Sequence, residues 1–207
     1  MNESLSSNNT IDNSIASKET EINSSYESQT SKTIDLNNQI INSISLSLNK
    51  IIQGNKAKNK YVKQDIFYLS FIPPISLNEY IKSLMKYTNM DISTLIISII
   101  YIDKFCDKND YYLTQNNIFR ILLSVCILSL KFNEDITVNY KNYSEIAAVS
   151  VEDLKNLEFY MYLKLHFSLK VEYDLYKSYY DYFSNYSLPK KANKNNYWLI
   201  VFILLVL

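Results

Sequence analysis

Apolar residues divide the chain into two unequal parts near residue 60. Residues 1–60 are rich in serine and asparagine and hold one aromatic residue, Tyr26, whereas eighteen tyrosines and all nine phenylalanines follow. So little apolar surface does not offset the entropy of ordering, and we expect most of this segment to be disordered. The pattern allows a short helix over residues 34–52, because four apolar residues recur there at roughly helical spacing: Ile40, Ile41, Ile44 and Leu48.

Beyond residue 61, apolar positions recur every three or four residues, a spacing that predicts helices. A capping box of Ser76 and Glu79 predicts the start of a first helix that runs to about residue 87. A second helix is predicted to follow Asp91 as its N-cap and to continue through Phe105. Apolar residues cover almost the whole circumference of this second helix, which is typical of a central helix surrounded by others.

Three or four further helices are predicted after the central one. We expect Thr114 to cap the third helix, a short fourth helix to begin near Asn142, and Ser150 to cap the fifth. The tyrosine-rich segment 173–183 is a candidate sixth helix. The buried face of the fifth helix is predicted to consist of Leu154, Leu157, Met161 and Leu165.

These elements predict an all-α fold, in which a five-helix bundle surrounds a central apolar helix and an extra helix follows at the C-terminal side. The predicted regions are a low-complexity segment at 1–60, the helical domain at 61–185, and a linker with a short apolar tail at 186–207. Residues 197–207 are all apolar or aromatic, but a membrane-spanning helix needs about twenty such residues. A packed terminal element, a partial membrane insertion and a truncated end all remain open for this tail, although membrane association is not expected.

The amino-acid composition argues against several classes of function. The formal net charge is zero, which argues against nucleic-acid binding, and Gly54 is the only glycine, which excludes phosphate-binding loops of the Walker or Rossmann kind. Cys106 and Cys126 lie in apolar segments, so we expect reduced thiols in a nuclear or cytoplasmic protein. His166 is the only histidine and has no partners at metal-ligand spacing. We therefore expect neither a cofactor nor an enzyme.

A charged residue beside an aromatic residue closes the long apolar third helix. Lys131 and Phe132 stand there, and Glu158 lies on the predicted fifth helix. If the two helices pack together, Lys131 and Glu158 would frame one groove, which suits a helix or loop of another protein better than a small substrate. The alternative interpretation is two solvated surface charges, and for Lys131 the dipole at a helix C-terminus would favour it.

The order of these segments resembles the cyclin box of the P-type cyclins, also called U-type, which carry a single box. The resemblance covers about residues 66–182. Within it, 101–105 (Tyr-Ile-Asp-Lys-Phe) is similar to the motif that closes the second helix of the box. The other segments that carry the resemblance are 75–89, 117–122, 130–135 (Leu-Lys-Phe-Asn-Glu-Asp) and 144–158.

The resemblance implies a regulatory subunit that binds and activates a cyclin-dependent protein kinase and holds no chemistry of its own. It implies that Lys131 and Glu158 hydrogen-bond the kinase backbone beside the kinase's C-helix. Phe132, Leu128 and Tyr162 would line the groove that accepts that helix. In such a site, charge-assisted hydrogen bonds fix the register, and buried apolar area supplies affinity.

Three positions bear on how far the resemblance extends. Asp103 is implied to have an internal structural role, holding helices together. Lys104 stands where the motif usually has an arginine and lacks its bidentate fork, and Ser83 stands where related cyclins often have arginine. The first helix also lacks the tryptophan of the substrate-docking patch of cell-cycle cyclins, so docking of Arg-x-Leu motifs is not expected. These departures and the apolar tail keep an alternative open, a cyclin-fold scaffold or membrane-associated module without kinase activation.

Overall fold

The computed structural model describes residues 6–56, 64–134 and 138–185. Within these ranges all regular secondary structure is helical, which confirms the expected all-α class. The described helices are α1 (Ser6–Gly54), α2 (Leu77–Thr88), α3 (Ile92–Asn109), α4 (Ile118–Asn133), α5 (Tyr140–Ala147), α6 (Val151–Lys164) and α7 (Tyr173–Ser184).

The described residues fall into two compact units that divide between Gln39 and Ile40. In the first unit, none of the side chains described from residue 29 to 39 is buried, and even Ile34 is exposed. A helix with a polar surface all round has no core of its own. This agrees with the low apolar content of the segment, but the structure gives it helical form from Ser6 where the sequence predicted disorder.

The second unit begins earlier in the chain than the predicted domain boundary at residue 61. Ile40, Ile44 and Leu48 are fully buried, because their spacing of four residues places them on one face of α1. The Asn55 side-chain amide also donates a buried hydrogen bond to the Leu113 carbonyl at 3.1 Å. The short helix considered over residues 34–52 is therefore real, and its second half belongs to the packed domain.

Three of the predicted helix starts agree with the structure. Ser76 and Glu79 form the complete capping box of α2, and Ser150 caps α6 by accepting a hydrogen bond from the Asp153 backbone at 2.9 Å. Asp91 is the N-cap of α3, but its carboxylate makes no capping hydrogen bond. The cap positions were therefore predictable from residue type, whereas the hydrogen bond at Asp91 was not.

The third predicted start, at Thr114, was wrong. Helix α4 begins at Ile118 with Asn117 as its N-cap, three residues after the predicted cap. The Asn117 side-chain oxygen accepts a hydrogen bond from the Thr114 backbone N–H at 2.8 Å, which holds the intervening residues in a turn. Asparagine side chains compete well for local backbone groups, so a turn replaces the first helical residues here.

The fourth predicted start, near Asn142, was two residues late. Helix α5 begins at Tyr140, because the Asn139 side chain caps it by accepting hydrogen bonds from the backbone N–H groups of Lys141 and Asn142. The helix ends at Ala147, and its C-cap Ala148 adopts the left-handed conformation with a φ of 50°. The earlier start matters for function, since it places Tyr140 in the first turn of the helix.

The core lies where α3 and α4 pack against each other. Helix α3 is buried over most of its circumference, as predicted for a central helix, and it also packs on α6 and α7. Helix α4 shares the centre, because every residue from 121 to 130 is buried between α3, α6 and α2. The hydroxyl oxygens of Ser98 and Ser129 lie 2.6 Å apart and satisfy each other across this interface.

Helices α6 and α7 complete the bundle much as predicted. The expected sixth helix at 173–183 corresponds to α7, which packs on α3 and whose Tyr179 and Phe183 side chains are buried. The packing of α6 against α4 brings two surface charges together, as described next. All four residues predicted for the buried face of the fifth helix, now α6, are fully buried: Leu154, Leu157, Met161 and Leu165.

Candidate functional site

Lys131 and Glu158 meet at the surface where the end of α4 crosses α6. The Lys131 Nζ lies 2.7 Å from the Glu158 Oε1, within ion-pair distance. The sequence led us to expect that the two charges frame one groove if these helices pack together. Helices α4 and α6 do pack together, and the lysine reaches the carboxylate directly. The groove itself stays a prediction. The two charges form one polar centre and leave no space between them.

A third side chain, Tyr140, joins this centre from the first turn of α5. Its hydroxyl donates to the Glu158 Oε2 at 2.5 Å and accepts a hydrogen bond from the Lys131 ammonium. The Lys155 Nζ lies 5.5 Å from the centroid of the Tyr140 ring, within cation–π range. Sequence reasoning missed Tyr140, and no spacing or motif could have found it, because its place depends on the path of the chain between α4 and α5.

Partial burial sets the electrostatics of this centre. The Lys131 side chain is 38% exposed and that of Glu158 only 12%. Burial lowers the pKa of Lys131, but hydrogen bonds to Glu158 and Tyr140 outweigh it, and the pKa lies above the usual 10.5. Burial first, and the hydrogen bond to Glu158 second, raise the pKa of Tyr140. Lys131 is therefore charged and Tyr140 protonated at neutral pH.

The polar centre retains hydrogen-bonding capacity for a partner. A lysine ammonium has three N–H donors, and Glu158 and Tyr140 engage two of those of Lys131. Each oxygen of the Glu158 carboxylate accepts one internal hydrogen bond and has a lone pair left. One donor on Lys131 and at least one acceptor on Glu158 therefore remain. A partner's backbone C=O could accept from the donor, and a backbone N–H could donate to the acceptor.

The apolar residues predicted for the site divide into two groups. Phe132 is 56% exposed beside Lys131, and Tyr162 lies half-buried one turn after Glu158. Leu128, by contrast, is only 4% exposed and belongs to the core. Its prediction as a groove-lining residue was wrong, because every residue of α4 from 121 to 130 is buried and the helix becomes exposed again only from Lys131.

Sequence analysis missed three exposed apolar residues on and after α6. Phe159, Leu163 and Phe167 are all exposed and follow one another at intervals of four residues, which aligns Phe159 and Leu163 on one face of the helix. The Phe167 ring packs edge-to-face against Tyr162, with 4.9 Å between centroids. The interval of four was visible in the sequence, but periodicity alone does not tell an exposed apolar face from a buried one.

The chain turns after α6 through two strained residues. His166 and Phe167 have φ angles of 56° and 58°, in the left-handed region that residues other than glycine rarely occupy. Side chains from α3 hold the neighbouring carbonyls: Lys108 donates to Leu165 at 3.2 Å and Asn109 to Lys164 at 3.1 Å. The fold thus enforces the backbone that presents Phe167 at the surface.

Asp103 and Lys104 connect α3 to the C-terminal part of the bundle. The Tyr179 hydroxyl of α7 donates to the Asp103 Oδ2 at 2.5 Å, a helix-joining contact of the kind that the resemblance implied. The Lys104 Nζ donates to the Lys170 carbonyl at 2.8 Å. This contact needs only one hydrogen-bond donor, so a lysine can make it without the two parallel N–H donors of an arginine guanidinium.

A second concave region lies on another part of the surface, between residues 69–75, α2, the start of α4 and the α5–α6 connection. It has a volume of about 730 Å³ and includes Ser83 in its lining. None of the described residues that line it is a tryptophan, and the largest apolar ones are Phe71, Tyr80, Tyr87, Phe119 and Leu123. The expectation that Arg-x-Leu motifs do not dock here stays a prediction.

The described ranges hold no group of three or more histidine, cysteine, aspartate or glutamate side chains arranged to bind a metal ion. Among the same residues, no helix combines the length and the apolar content that crossing a membrane requires. The predicted linker and apolar tail at 186–207 lie outside the described residues.

Comparisons with known proteins agree with the motifs and the fold. The family model described as Cyclin matches residues 2–169. Cyclin-U2-1 of Arabidopsis thaliana is 27% identical over 143 residues, covering 64% of this chain and 64% of that protein. Cyclin-P3-1 of Oryza sativa subsp. japonica is 25% identical over 129 residues, covering 62% of this chain and 53% of that protein. Cyclin-U4-3 of Arabidopsis thaliana is 24% identical over 141 residues, covering 68% of this chain and 64% of that protein.

The chain thus spans 53% to 64% of the length of these three relatives. The family match covers most of the chain and includes Lys131, Tyr140 and Glu158. The helical bundle, the ordered motifs and these matches agree with one another. The chain therefore belongs to the cyclin family, among the cyclins of the U and P types.

Proposed function

We propose that this chain is a regulatory cyclin that binds and activates a cyclin-dependent protein kinase. The contact surface would be the α4–α6 surface, which we define as Lys131, Phe132, Tyr140, Glu158, Phe159, Tyr162, Leu163 and Phe167. The observation that carries the proposal is the Lys131–Glu158 ion pair, held at 2.7 Å and flanked along both helices by exposed aromatic residues.

The composition of the α4–α6 surface fits a protein partner. Large aromatic side chains exposed next to a partly buried polar pair are typical of the centre of a binding interface. Phe132, Phe159 and Phe167 would contribute apolar area, whereas Lys131 and Glu158 would fix the register of the partner by charge-assisted hydrogen bonds. The absence of charge excess on the whole chain also suits recognition by shape and a few polar contacts.

Activation would follow from the position of the kinase's C-helix. A cyclin that packs against this helix moves it inward, so that the kinase forms its Lys–Glu ion pair and orders its activation loop. The cyclin must be rigid to do this. Here α4 and α6 lie on a fully buried core, and contacts such as Tyr179 to Asp103 tie α7 to α3.

The test is a charge exchange. The double variant Lys131→Glu with Glu158→Lys preserves an ion pair within the cyclin but reverses the polarity that a partner meets. We expect the tagged wild-type chain to co-purify with a cyclin-dependent kinase, identified by mass spectrometry, and to stimulate its activity on a peptide substrate. The exchanged variant should lose both properties while keeping its helicity and melting temperature.

A matched control is available on α7. Lys177 and Asp181 form an ion pair of 2.9 Å outside the α4–α6 surface. Lys177→Glu with Asp181→Lys makes the same exchange there and should leave kinase binding unchanged. Kinase binding that survives exchange at Lys131 and Glu158 would contradict the proposed site.

One feature of the sequence favours a second candidate function, a cyclin-fold module that associates with membranes and does not activate a kinase. The apolar segment 197–207 would be the membrane contact. Sedimentation with lipid vesicles, comparing the full chain with a variant that ends at residue 196, would decide. Pelleting that does not depend on the segment would remove this candidate.

A further inference from the structure

We infer that Tyr140 is a positioning residue of the α4–α6 surface, whose hydroxyl holds Lys131 and Glu158 in the arrangement that a partner meets. The docking centre would then consist of three side chains from three helices. This inference rests on the proposed kinase-binding function, and it concerns a residue that neither the motifs nor the spacing of charges in the sequence identified.

The geometry of one hydroxyl group carries the inference. The Tyr140 oxygen accepts a hydrogen bond from Lys131, and its proton goes to the Glu158 Oε2 at 2.5 Å. Lys131 also reaches the other carboxylate oxygen, Oε1, at 2.7 Å. The three groups therefore close a ring of hydrogen bonds in which each side chain contacts both others, and the ring joins the end of α4, the start of α5 and the middle of α6.

Such a ring matters most for the lysine. The ammonium group of lysine is carried by a flexible chain of four carbons. A single ion pair at the surface therefore still allows the side chain many conformations. A second anchor at Tyr140 restricts those conformations, so less entropy is lost when a partner accepts the remaining N–H. For Glu158, the tyrosine occupies Oε2 and fixes the plane of the carboxylate, which determines where its remaining lone pairs point.

The aromatic ring of Tyr140 allows the hydroxyl to be tested by itself. Lys155 approaches the ring at 5.5 Å from its centroid, and this cation–π contact does not need the hydroxyl. Tyr140→Phe therefore keeps the ring, its packing and the Lys155 contact, and removes only the two hydrogen bonds. Tyr173→Phe is the control, because it deletes a hydroxyl from an exposed tyrosine on α7.

The experiment measures binding to the members of a panel of purified cyclin-dependent kinases that bind the wild-type chain. Tyr140→Phe should weaken the affinity by about 5- to 10-fold, because both hydrogen bonds that hold the docking groups in place are lost, and Tyr173→Phe should not change it. In a Lys131→Met background the effect of Tyr140→Phe should shrink, because one of the two groups that the hydroxyl positions is gone. Wild-type affinity for Tyr140→Phe, or an undiminished effect in the Lys131→Met background, would overturn the inference.

A second readout needs no kinase. Nuclear magnetic resonance of the 15N-labelled lysine ammonium groups reports the titration of Lys131 directly, and the pKa of Lys131 should be lower in Tyr140→Phe than in the wild type. If no kinase in the panel binds the wild-type chain, the proposed function fails, but this measurement still decides about Tyr140. An unchanged Lys131 titration in the phenylalanine variant would show that the hydroxyl does not hold the ammonium group.

Discussion

Two ion pairs of nearly equal length have very different surroundings in this cyclin. Lys131 and Glu158 lie 2.7 Å apart, join α4 to α6, and have side chains that are 38% and 12% exposed. Lys177 and Asp181 lie 2.9 Å apart, one turn apart on α7, and are 55% and 50% exposed. Distance alone would rank the two as equivalent. Burial, the third partner Tyr140 and the neighbouring aromatic residues distinguish the first pair as a candidate docking centre.

The difference has a physical basis. An exposed pair within one helix is weakened by solvent and by salt, and its side chains lose entropy in meeting. A pair that bridges two helices and is partly shielded from solvent keeps more of its electrostatic interaction energy. It is also costly to break, because the remaining charge is left without a partner in a less polar environment.

Reversing one charge at each pair should give the largest contrast. Glu158→Lys places two ammonium groups together and removes the acceptor of Tyr140, so we expect a loss of about 2–4 kcal/mol in the free energy of unfolding. Adding Lys131→Glu should restore most of this loss. Asp181→Lys should shift the chemical denaturation midpoint far less. Equal destabilisation by the two single variants would remove the distinction between the pairs.

Neutralising the carboxylate without changing its shape should have a smaller effect. Glu158→Gln keeps hydrogen-bonding atoms near Lys131 and Tyr140 but removes the charge, and we expect a loss of about 1 kcal/mol in the free energy of unfolding. Asp181→Asn is the matched change and should leave the unfolding curve within error of the wild type. A Glu158→Gln variant as stable as the wild type would mean that the pair is solvated like its counterpart on α7.

The contribution of Lys131 should depend on pH in a defined direction. Its pKa in the folded protein is raised above 10.5, so its stabilising contribution is complete below pH 10.5 and is lost as the pH rises through the folded pKa. The stability difference between the wild type and Lys131→Met should therefore be constant from pH 7 to 10 and decline above that. Measurement of urea unfolding across this range checks the sign, and a difference that grows above pH 10.5 would contradict it.

The salt dependence of the coupling energy should show the smallest difference between the two ion pairs. The Debye length falls from about 10 Å at 0.1 M to about 3 Å at 1 M, which screens exposed charges most. In double-mutant cycles we expect the coupling between Lys177 and Asp181 to vanish at 1 M NaCl, while about half or more of the coupling between Lys131 and Glu158 persists. Equal loss at both pairs would indicate equal exposure in solution.

Much of the fold could be predicted because it follows from local patterns. The spacing of Leu154, Leu157 and Met161 predicted the buried face of α6, and residue types alone predicted the caps at Ser76 and Ser150. Failures occurred where two local signals compete. At the start of α4, for example, an asparagine that can bond the backbone displaced the predicted cap by three residues.

The candidate site was less predictable because it depends on tertiary packing. Motifs brought Lys131 and Glu158 to attention, but only the packing of α4 on α6 shows that they touch. The same packing buries Leu128, which its place in a motif had suggested as a surface residue, and it brings Tyr140 into the centre. At the N-terminal side, the apolar stripe that starts at Ile40 was recognised as a possible short helix. The low average hydropathy of residues 1–60 nevertheless placed the predicted domain boundary too late, at residue 61.

The most direct test of the account is the affinity of a cyclin-dependent kinase for the two charge-exchanged cyclins. Titration calorimetry should show at least about 30-fold weaker binding for Lys131→Glu with Glu158→Lys, the effect expected when buried interface charges meet the wrong partner. The exchange at Lys177 and Asp181 should bind like the wild type. Equal affinity for both exchanged proteins would contradict the claim that the ion pair between α4 and α6 is the centre of the kinase-binding surface.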